Sequence, residues 1–527
     1  MGSSVLKPHV SSWGYAFFLT VNATSLWGGI FPFLPTEFQT AEVTLTFFLA
    51  QAFAFLGAFC ASVFGSYFFP REARRMMVSL SALLVFSGSA CLIGAMYLVD
   101  FTLLLVAGGG VLLGVGCAGM FMLWQRYFAS LPSEQGNLRL IVGTALAPLS
   151  YFALYLVPIA LTAYLIPMVF VPLCGLCVAL SVREMKVDQP MFEDVPRQHP
   201  RVYRRVVKNY WRSAVCVGSL AFASGVIRGI ALLHEEISMV VNISSMLGAF
   251  ISAVVLLVLW FRFSFRFSLA SVFRVVYPLL ITGFLLLPFL GADYLNVFSA
   301  VTYMIFSLVL MLMMMQCAQI SRDRGINPVF IYAFFGAVVY LMQSLGFLLG
   351  WLSDSIDFMG FDRMALVSMV SSYVLGLTLF AASGTLLKPV PSLVLADTDL
   401  IEFLPLKKPG DQRTELRVQG EAVADEAATI EKGKRKSRRN RPSASADYGI
   451  IRDRTSKQCF ALKESRGLSS RETEVMELIA RGNSVAAIAE QLVISENTVR
   501  THSKHIYGKL DIHKRQDLLD MLGQLSL

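Results

Sequence analysis

Thr498, Arg500, Thr501 and Lys504 fall within one short run, T-V-R-T-H-S-K, and Lys509 follows it. Residues four apart share a helix face, so Arg500 and Lys504 would project side by side if the run is helical. A guanidinium presents a planar fork that matches the O6 and N7 acceptors of guanine, whereas an ammonium answers a phosphate as a point charge. The chemistry offered here is recognition of a polyanion, not the making or breaking of bonds. A second candidate stands alone. Arg228 interrupts a long apolar run, where an ionisable group is costly and usually functional. Two readings are open: a long side chain that snorkels or pairs with Glu235 or Glu236, or an anion-binding group in a central cavity. Asn22, Trp27, Gln51, Gln125, Asn242 and Gln343 could add polar contacts there. Each alone also serves as an ordinary helix–helix hydrogen bond.

Other reactive residues have plainer readings. Cys174 and Cys177 form a C-x-x-C with no partnering Cys or His nearby, a chance pair rather than a zinc or redox site. The Met311–Met315 run reads as lipid-facing or packing surface, and the five glycines from Gly108 to Gly116 as points of close helix approach. No nucleophile–base pair, phosphate loop or metal cluster stands out. No catalytic residue, metal or cofactor is therefore expected, and an enzyme is the least supported class.

The elements that must position these residues follow from composition. Of 527 residues, 55% are hydrophobic, 12% aromatic and 15% charged, with a mean hydropathy of +0.60. Soluble globular chains carry about 25% charged residues. The composition excludes an ordinary soluble enzyme and a disordered scaffold, and it points to a polytopic membrane protein. Eight Cys and six His suggest neither a disulfide framework nor a rich metal site. The net charge of +9 is unevenly placed. Residues 1–388 hold 22 Lys/Arg and 16 Asp/Glu, mostly between apolar runs. Residues 389–462 hold 14 and 11 with no long apolar run, and residues 463–527 hold nine of each in an amphipathic pattern. These divisions predict a membrane region, a flexible charged cytoplasmic linker and a small soluble domain.

About 20 apolar residues of helix cross the hydrocarbon layer. Twelve spans are expected, near 13–33, 43–69, 76–99, 101–125, 138–157, 159–182, 213–233, 237–261, 275–291, 294–319, 328–352 and 364–387. Bases in the gaps alternate. Lys7, the Arg71–Arg74–Arg75 cluster, Arg126 with Arg139, eight bases in 183–212, Arg262 with Arg266 and Arg274, and Arg322 with Arg324 occupy every second gap. The intervening gaps hold none, apart from Arg363 beside Asp354, Asp357 and Asp362. The positive-inside rule then places both termini of this multi-pass chain in the cytoplasm. The first span reads as retained rather than as a cleaved signal peptide.

Six spans, a basic loop over 183–212 and six more spans resemble the major facilitator architecture. The resemblance speaks to fold and not to transport. That family's motif between the second and third helices is a Gly, an Asp and closely spaced bases. Here Gly65 is followed by Phe68, Phe69 and Pro70 before Arg71, and the Asp is missing. The corresponding loop from Arg262 to Arg274 also lacks it, and no Asp or Glu falls well inside an expected span.

The linker, 389–462, opens with Pro389 and Pro391 and contains K-G-K-R-K-S-R-R-N-R from Lys432 to Arg441. Such a block self-repels and attracts anions. It could lie on anionic lipid, add non-specific DNA affinity or act as a solvated spacer. As a flexible coil the linker would span roughly 50 Å.

Residues 463–527 read as four short helices. Ser469-Ser470-Arg471-Glu472 is a capping box, with Val475, Leu478 and Ile479 as the first apolar stripe and Gly482 as the C-terminal stop. Ser484 caps the second helix, which turns Ile488, Ala489 and Leu492 inward. After Val493-Ile494, Ser495 caps the third, whose apolar face is Val499, Ile506 and Leu510. The fourth runs from about Lys514 to Leu522 with Leu518, Leu519 and Leu522 apolar. Two short helices joined by a tight turn, the second basic near its start, fit a helix-turn-helix. The spelling G-L-S-S-R-E-T-E-V-M-E-L-I-A-R-G-N-S, then I-A-E-Q-L-V-I-S-E-N-T-V-R-T-H, then I-Y-G-K-L-D resembles a LuxR-type DNA-binding domain. It departs from the common pattern at Val485-Ala486-Ala487. The resemblance implies that the third helix enters the major groove. Arg500, Thr501 and Lys504 would then be the base-reading candidates, and Thr498 and Lys509 phosphate contacts. It also implies dimerisation through this domain on DNA.

The expected fold class is thus all-α: a polytopic twelve-helix membrane bundle over 1–388 and a four-helix helix-turn-helix domain over 463–527. The leading functional reading is a one-component, membrane-tethered transcription regulator whose membrane region senses a small-molecule ligand. The alternative is a major-facilitator-like solute transporter with an appended regulatory DNA-binding domain. Either implies double-stranded DNA, the lipid bilayer and an unknown small molecule as partners.

Overall fold

The computed structural model describes residues 8–23, 38, 40–68, 78–185, 190–193, 196–197, 200–231, 235–262, 265–352, 363–383, 400–403, 454–466, 468, 470–481, 483–492 and 496–524. The predicted features at Trp27, Arg71, Arg74, Arg75, Pro389, Pro391, Lys432–Arg441, Ser469, Gly482 and Ser495 lie outside the described residues. Among the described residues, helix dominates. Eleven helices are long and apolar enough to cross a membrane.

α1 (Val10–Asn22) is the described part of the first expected span. It is followed by α2 (Ala41–Phe68), α3 (Val78–Tyr97), α4 (Thr102–Ser130) and α5 (Ser133–Leu154). In α6, Ile159–Leu165 and Val171–Arg183 are joined by a π-helical turn, Ile166–Phe170. That turn contains Pro167, which lacks the N–H that a regular helix needs. α7 is Pro200–Ala231 and α8 is Glu235–Arg262. The helical stretch Leu269–Arg324 is broken at Gly291, where φ is 74°. A left-handed residue of this kind favours glycine, and it separates α9 (Val272–Gly291) from α10 (Asp293–Arg322). α11 (Pro328–Leu352) and α12 (Arg363–Ser383) complete the bundle.

α7 starts at Pro200 rather than near 213, so the helix takes up part of the expected basic loop. Tyr203, Val206 and Tyr210 are buried while Arg204, Arg205 and Lys208 are exposed. Hydropathy alone ends a span at its polar edge, but this amphipathic turn packs and so continues the helix.

The helix pairing repeats with an offset of six. α1 packs on α5 and α7 on α11, and α2 packs on α4. α8 meets α10, where the Ser307 hydroxyl donates to the Ser245 carbonyl at 3.0 Å. The two sets meet where α2 lies against α11 and α5 against α8. One buried apolar cluster runs through the bundle, while Phe53, Leu83, Val275, Phe289 and Tyr373 stay exposed on its periphery, as a lipid-facing surface would.

Glycine sets the closest contacts. Gly110 and Gly114 of α4 face α2, and Gly109 and Gly116 face α3, so the glycine run permits close approach on both sides. α7 and α11 come closer still. Gly225 and Gly229 on one helix oppose Gly346 and Gly350 on the other. A methyl at Gly346 would fall on the Phe222 carbonyl, one at Gly350 on that of Val226, and one at Gly225 would lie 2.9 Å from Phe347 N. The pattern is a small-xxx-small motif on both partners. Met311, Met313, Met314 and Met315 are buried, so this run is packing and not lipid-facing surface. Cys174 and Cys177 are free thiols, and Gly14 of α1 packs directly on Cys177.

Two four-residue strands also occur among the described residues. β1 (Phe265–Ser268) lies between α8 and α9, and β2 (Leu400–Phe403) lies in the expected linker. They pair antiparallel.

Five helices form the C-terminal unit: α13 (Arg454–Arg466), α14 (Ser470–Ala480), α15 (Val485–Leu492), α16 (Glu496–Leu510) and α17 (Arg515–Gln524). Four were expected. α13 falls in the expected linker, yet its Cys459 and Leu462 join the same core as Val475, Ile488, Val499 and Leu518. A charged amphipathic helix with few apolar positions looks like linker until its partner surface is known.

Overpacking a tight backbone contact costs about 1–3 kcal/mol or more. We expect Gly346→Ala and Gly225→Ala to lower the thermal unfolding midpoint of the detergent-purified protein markedly. Gly376→Ala, where a methyl meets nothing within 4 Å, should leave it unchanged. Fluorescence-detected size exclusion after a heat ramp measures all three.

Candidate nucleic-acid interface and central cavity

Val499, Ile506 and Leu510 anchor α16 in the core and thereby fix which residues face outward. Arg500, Thr501 and Lys504 are exposed on the opposite side. Thr498 lies in the first turn of α16, and its side chain is outside the described residues. The three described base-reading candidates are thus brought onto one helix and one exposed flank. Asp511, at φ 55°, ends α16, with the Ile512 N–H donating to the Tyr507 carbonyl at 3.0 Å. Asp517 steadies the start of α17. Its carboxylate accepts the Lys514 and His513 backbone N–H groups at 2.9 and 3.2 Å, and these bonds hold its pKa below the usual carboxylate value. A depressed carboxylate contributes stability above its unfolded pKa and loses it as pH falls.

Lys509 is placed differently from a simple phosphate contact. Its ammonium is 2.7 Å from a Glu472 carboxylate oxygen, and Glu472 is buried in α14. The pair ties the end of α16 to the start of α14. Sequence reasoning used Glu472 as a capping-box residue, so its second partner, 37 positions away, went unseen.

Residues 466–522 match the family model described as bacterial regulatory proteins, luxR family. The C-terminal domain is a LuxR-type helix-turn-helix. Similar curated proteins include the "Probable HTH-type transcriptional regulator GfsR" of Streptomyces halstedii, 47% identical over 60 residues, covering 11% of this chain and 25% of that protein. Another is the oxygen regulatory protein NreC of Staphylococcus haemolyticus, 43% identical over 53 residues, covering 10% of this chain and 25% of that protein. The chain spans about a quarter of the length of the curated relatives it matches. The bundle has similarity of another kind, to a major facilitator superfamily transporter, FucP, in the outward conformation. The TM-score is 0.46 with 13% identity, covering 72% of this chain and 100% of that one. An E. coli fucose:proton symporter structure gives a TM-score of 0.43 with 15% identity over 72% of this chain and 98% of that one. One chain therefore joins a polytopic helical bundle to a LuxR-type DNA-binding domain.

Within the bundle, Arg228 is 7% exposed and lies over the Phe48 ring at 4.6 Å. Its Nη1 donates to Asn242 Oδ1 at 3.4 Å, and the Tyr303 hydroxyl of the same cavity donates to the Ser224 carbonyl at 2.9 Å. A cavity of about 40 Å³ adjoins it, lined by Phe48, Tyr303, Tyr340, Gln343 and Phe347 among others. Phe48 and Ala52 come from α2 and the rest from α7, α10 and α11, so the cavity sits where the two helix sets meet. Asn242 thus bonds Arg228, and Gln343 lines the same cavity. Gln125 instead donates to the Met314 carbonyl at 3.3 Å, and Asn22 and Gln51 are buried without lining this cavity. The aromatic lining was missed, since an aromatic in a spanning run looks the same whether it packs or lines. Among the described residues no group of His, Cys, Asp or Glu could hold a metal ion.

The side of the bundle that carries the 183–212 segment is tightly closed. Arg322 of α10 donates to the Phe128 and Leu131 carbonyls at the end of α4, at 3.1 and 3.3 Å. Those carbonyls have no partner within their own helix. Arg126 lies 5.1 Å over Phe192, and Met191 and Phe192 are buried. The Asn327 N–H donates to the Tyr203 hydroxyl at 3.0 Å. Nearby, Glu184 pairs with Arg139 at 3.3 Å and approaches His9 at 3.5 Å. Burial, followed by the Arg139 charge, lowers the His9 pKa against the pull of Glu184.

Removing Lys509 would leave the Glu472 carboxylate buried without this cation. Lys509 is half exposed, so the cost is well below that of a fully buried pair, about 1–2 kcal/mol. We expect Lys509→Ala to lower the unfolding midpoint of fragment 454–527 by several degrees at neutral pH, and Arg500→Ala to leave it unchanged. Circular dichroism melts separate the two.

Proposed function

We propose that the protein is a major-facilitator-like solute carrier, built as six plus six spans with both termini cytoplasmic. In this reading its appended LuxR-type domain ties solute handling to transcription. The observation that carries it is a buried guanidinium in an aromatic cavity between the two helix sets, in the same chain as a DNA-binding helix-turn-helix. Arg228 favours a small anion, with the Phe48, Tyr303, Tyr340 and Phe347 rings suiting an organic body. At about 40 Å³ the cavity has room for water rather than an organic solute. Solute therefore enters only as α2 parts from α7, α10 and α11, the last of which stays locked to α7 by glycine. Such movement can bias DNA binding only if the solute binds the two arrangements with different affinity.

A sensor that no longer transports is the second reading. It is favoured by the missing Asp after Gly65 and by the lack of Asp or Glu well inside the spans, since coupled carriers usually keep such groups. In both readings Arg500, Thr501 and Lys504 read bases, Thr498 contacts phosphate, and the domain dimerises on duplex DNA. Lys509 reaches phosphate only by sharing or leaving Glu472.

Two measurements test this. A panel of small organic anions is screened by thermal shift on purified protein, and hits are then assayed for uptake into proteoliposomes. Arg228→Ala should abolish both responses and Arg228→Lys should retain part of the shift. Uptake by wild type supports carriage; a shift without uptake selects the sensor, and no shift with any anion removes Arg228 from ligand binding. For DNA, Arg500→Ala should weaken cognate binding by about 1–3 kcal/mol while barely affecting random duplex. Equal losses on both in a salt-series titration would remove Arg500 from base reading.

A further inference from the structure

β2 belongs to the segment between the bundle and the LuxR-type domain, yet it is paired with the bundle itself. Its partner β1 begins two residues after α8 and runs directly into the helix that starts at Leu269. β2 also lies against that helix. β1 is thus continuous with the helices on both its sides, and one of them, α8, packs across to α5 of the other set. Any change in the tilt of α8 against α9 is delivered to β1.

The register is selective. Phe265 stands opposite Phe403, Phe267 opposite Ile401 and Arg266 opposite Glu402. By residue type, three of the four register positions set apolar opposite apolar or base opposite acid, Ser268 opposite Leu400 being the exception, and such pairings stabilise antiparallel neighbours. Main-chain bonds supply affinity in such strand addition, and the side-chain pattern supplies specificity. A two-stranded sheet of four residues per strand is nonetheless marginal in water. Paired and unpaired states are therefore close in free energy, and a small displacement of β1 suffices to shift them.

We propose that the β1–β2 pair is a releasable clasp through which rearrangement of the bundle reaches the DNA-binding domain; this rests on the reading that the bundle governs DNA binding. Tether length alone is too weak a lever. Seventy residues, 384–453, separate α12 from α13, and pairing of β2 leaves fifty, 404–453. For any flexible chain loop closure varies only as about the 3/2 power of length, so even in that limit a shortening from seventy to fifty residues would change encounter by less than about twofold. The clasp acts instead by fixing where the tether leaves the bundle and by following α8.

The test uses the full-length protein in its native membrane. Phe265→Cys and Phe403→Cys are introduced together, and the disulfide formed on mild oxidation is quantified by mass spectrometry of the linked peptides. Arg266→Glu, Glu402→Arg and the charge-swapped double variant are compared in that background. Occupancy of chromosomal sites is measured in parallel by immunoprecipitation. Each single substitution should lower the disulfide yield about two- to fivefold and shift occupancy more than twofold in one direction, and the swap should restore both. Failure of the swap to restore the yield overturns the pairing as a register-specific clasp. Yield that falls and recovers while occupancy stays constant overturns its role in coupling and leaves the functional reading standing. Wild-type occupancy no higher than that of an Arg500→Ala, Thr501→Ala control defeats the functional reading, and the clasp with it.

Discussion

With no side chain at Gly225, Gly229, Gly346 or Gly350, the backbones of α7 and α11 touch, and whatever these helices carry is fixed in relative position. Arg228 lies one residue from Gly229, while Gln343, Ser344 and Phe347 flank Gly346. The contact therefore sets the separation between the guanidinium and the opposite wall of the cavity. In a membrane interior there is little hydrophobic force between helices, so close packing carries much of the association. Phe48 closes the cavity from α2, which belongs to the other set. The part of the site that a solute would have to move is thus the part not held by glycine.

The closed end of the bundle rests on a different interaction. Arg322 satisfies carbonyls that the end of α4 cannot satisfy within its own helix, and it does so from α10. Such charge-assisted bonds are stronger than neutral ones, but they are few and directional, and a small rotation of α10 breaks them together. Tyr303 and Phe306, on the cavity wall, lie on the same α10 helix. Cavity and closure are thereby linked by one rigid element, which a solute in the cavity and the Arg322 contacts would both bias.

Much of this was legible in the sequence because periodicity and charge report burial. Val499, Ile506 and Leu510 declared the inner face of α16, and Arg500, Thr501 and Lys504 its outer one. Apolar runs gave ten of the spans within several residues; the far end of the first lies outside the described residues, and α7 is the clear exception because its first turns are amphipathic rather than apolar. Arg228, Asn242 and Gln343 were visible as polar residues in apolar surroundings. What could not be read is whatever depends on pairing between distant segments. The Gly225/Gly229 and Gly346/Gly350 spacings are each unremarkable alone. Glu472 looked fully explained by its local cap, and α13 by its charge. Likewise F-R-F-S and L-I-E-F give no strand signal until set opposite one another.

The interactions fall into two energetic ranges, as the proposed coupling of bundle and DNA-binding domain would require. Allosteric coupling typically amounts to about 1–3 kcal/mol. The glycine contact and the apolar core lie above that range, since losing either costs the fold. A four-residue strand pair and a half-exposed Lys–Glu pair lie within or below it. Lys509 illustrates the consequence at the DNA. In the proposed reading phosphate would compete with Glu472 for the same ammonium, so backbone contact and the α14–α16 tie would be thermodynamically linked. DNA that draws Lys509 away loosens that tie, and a tie that holds Lys509 weakens sequence-independent affinity. Arg500, an exposed residue on the same helix, has no part in that pair. If Arg500 reads bases and Lys509 meets phosphate as proposed, discrimination between sequences and affinity for DNA in general would be set by different residues of α16, and the second could be adjusted without disturbing the first.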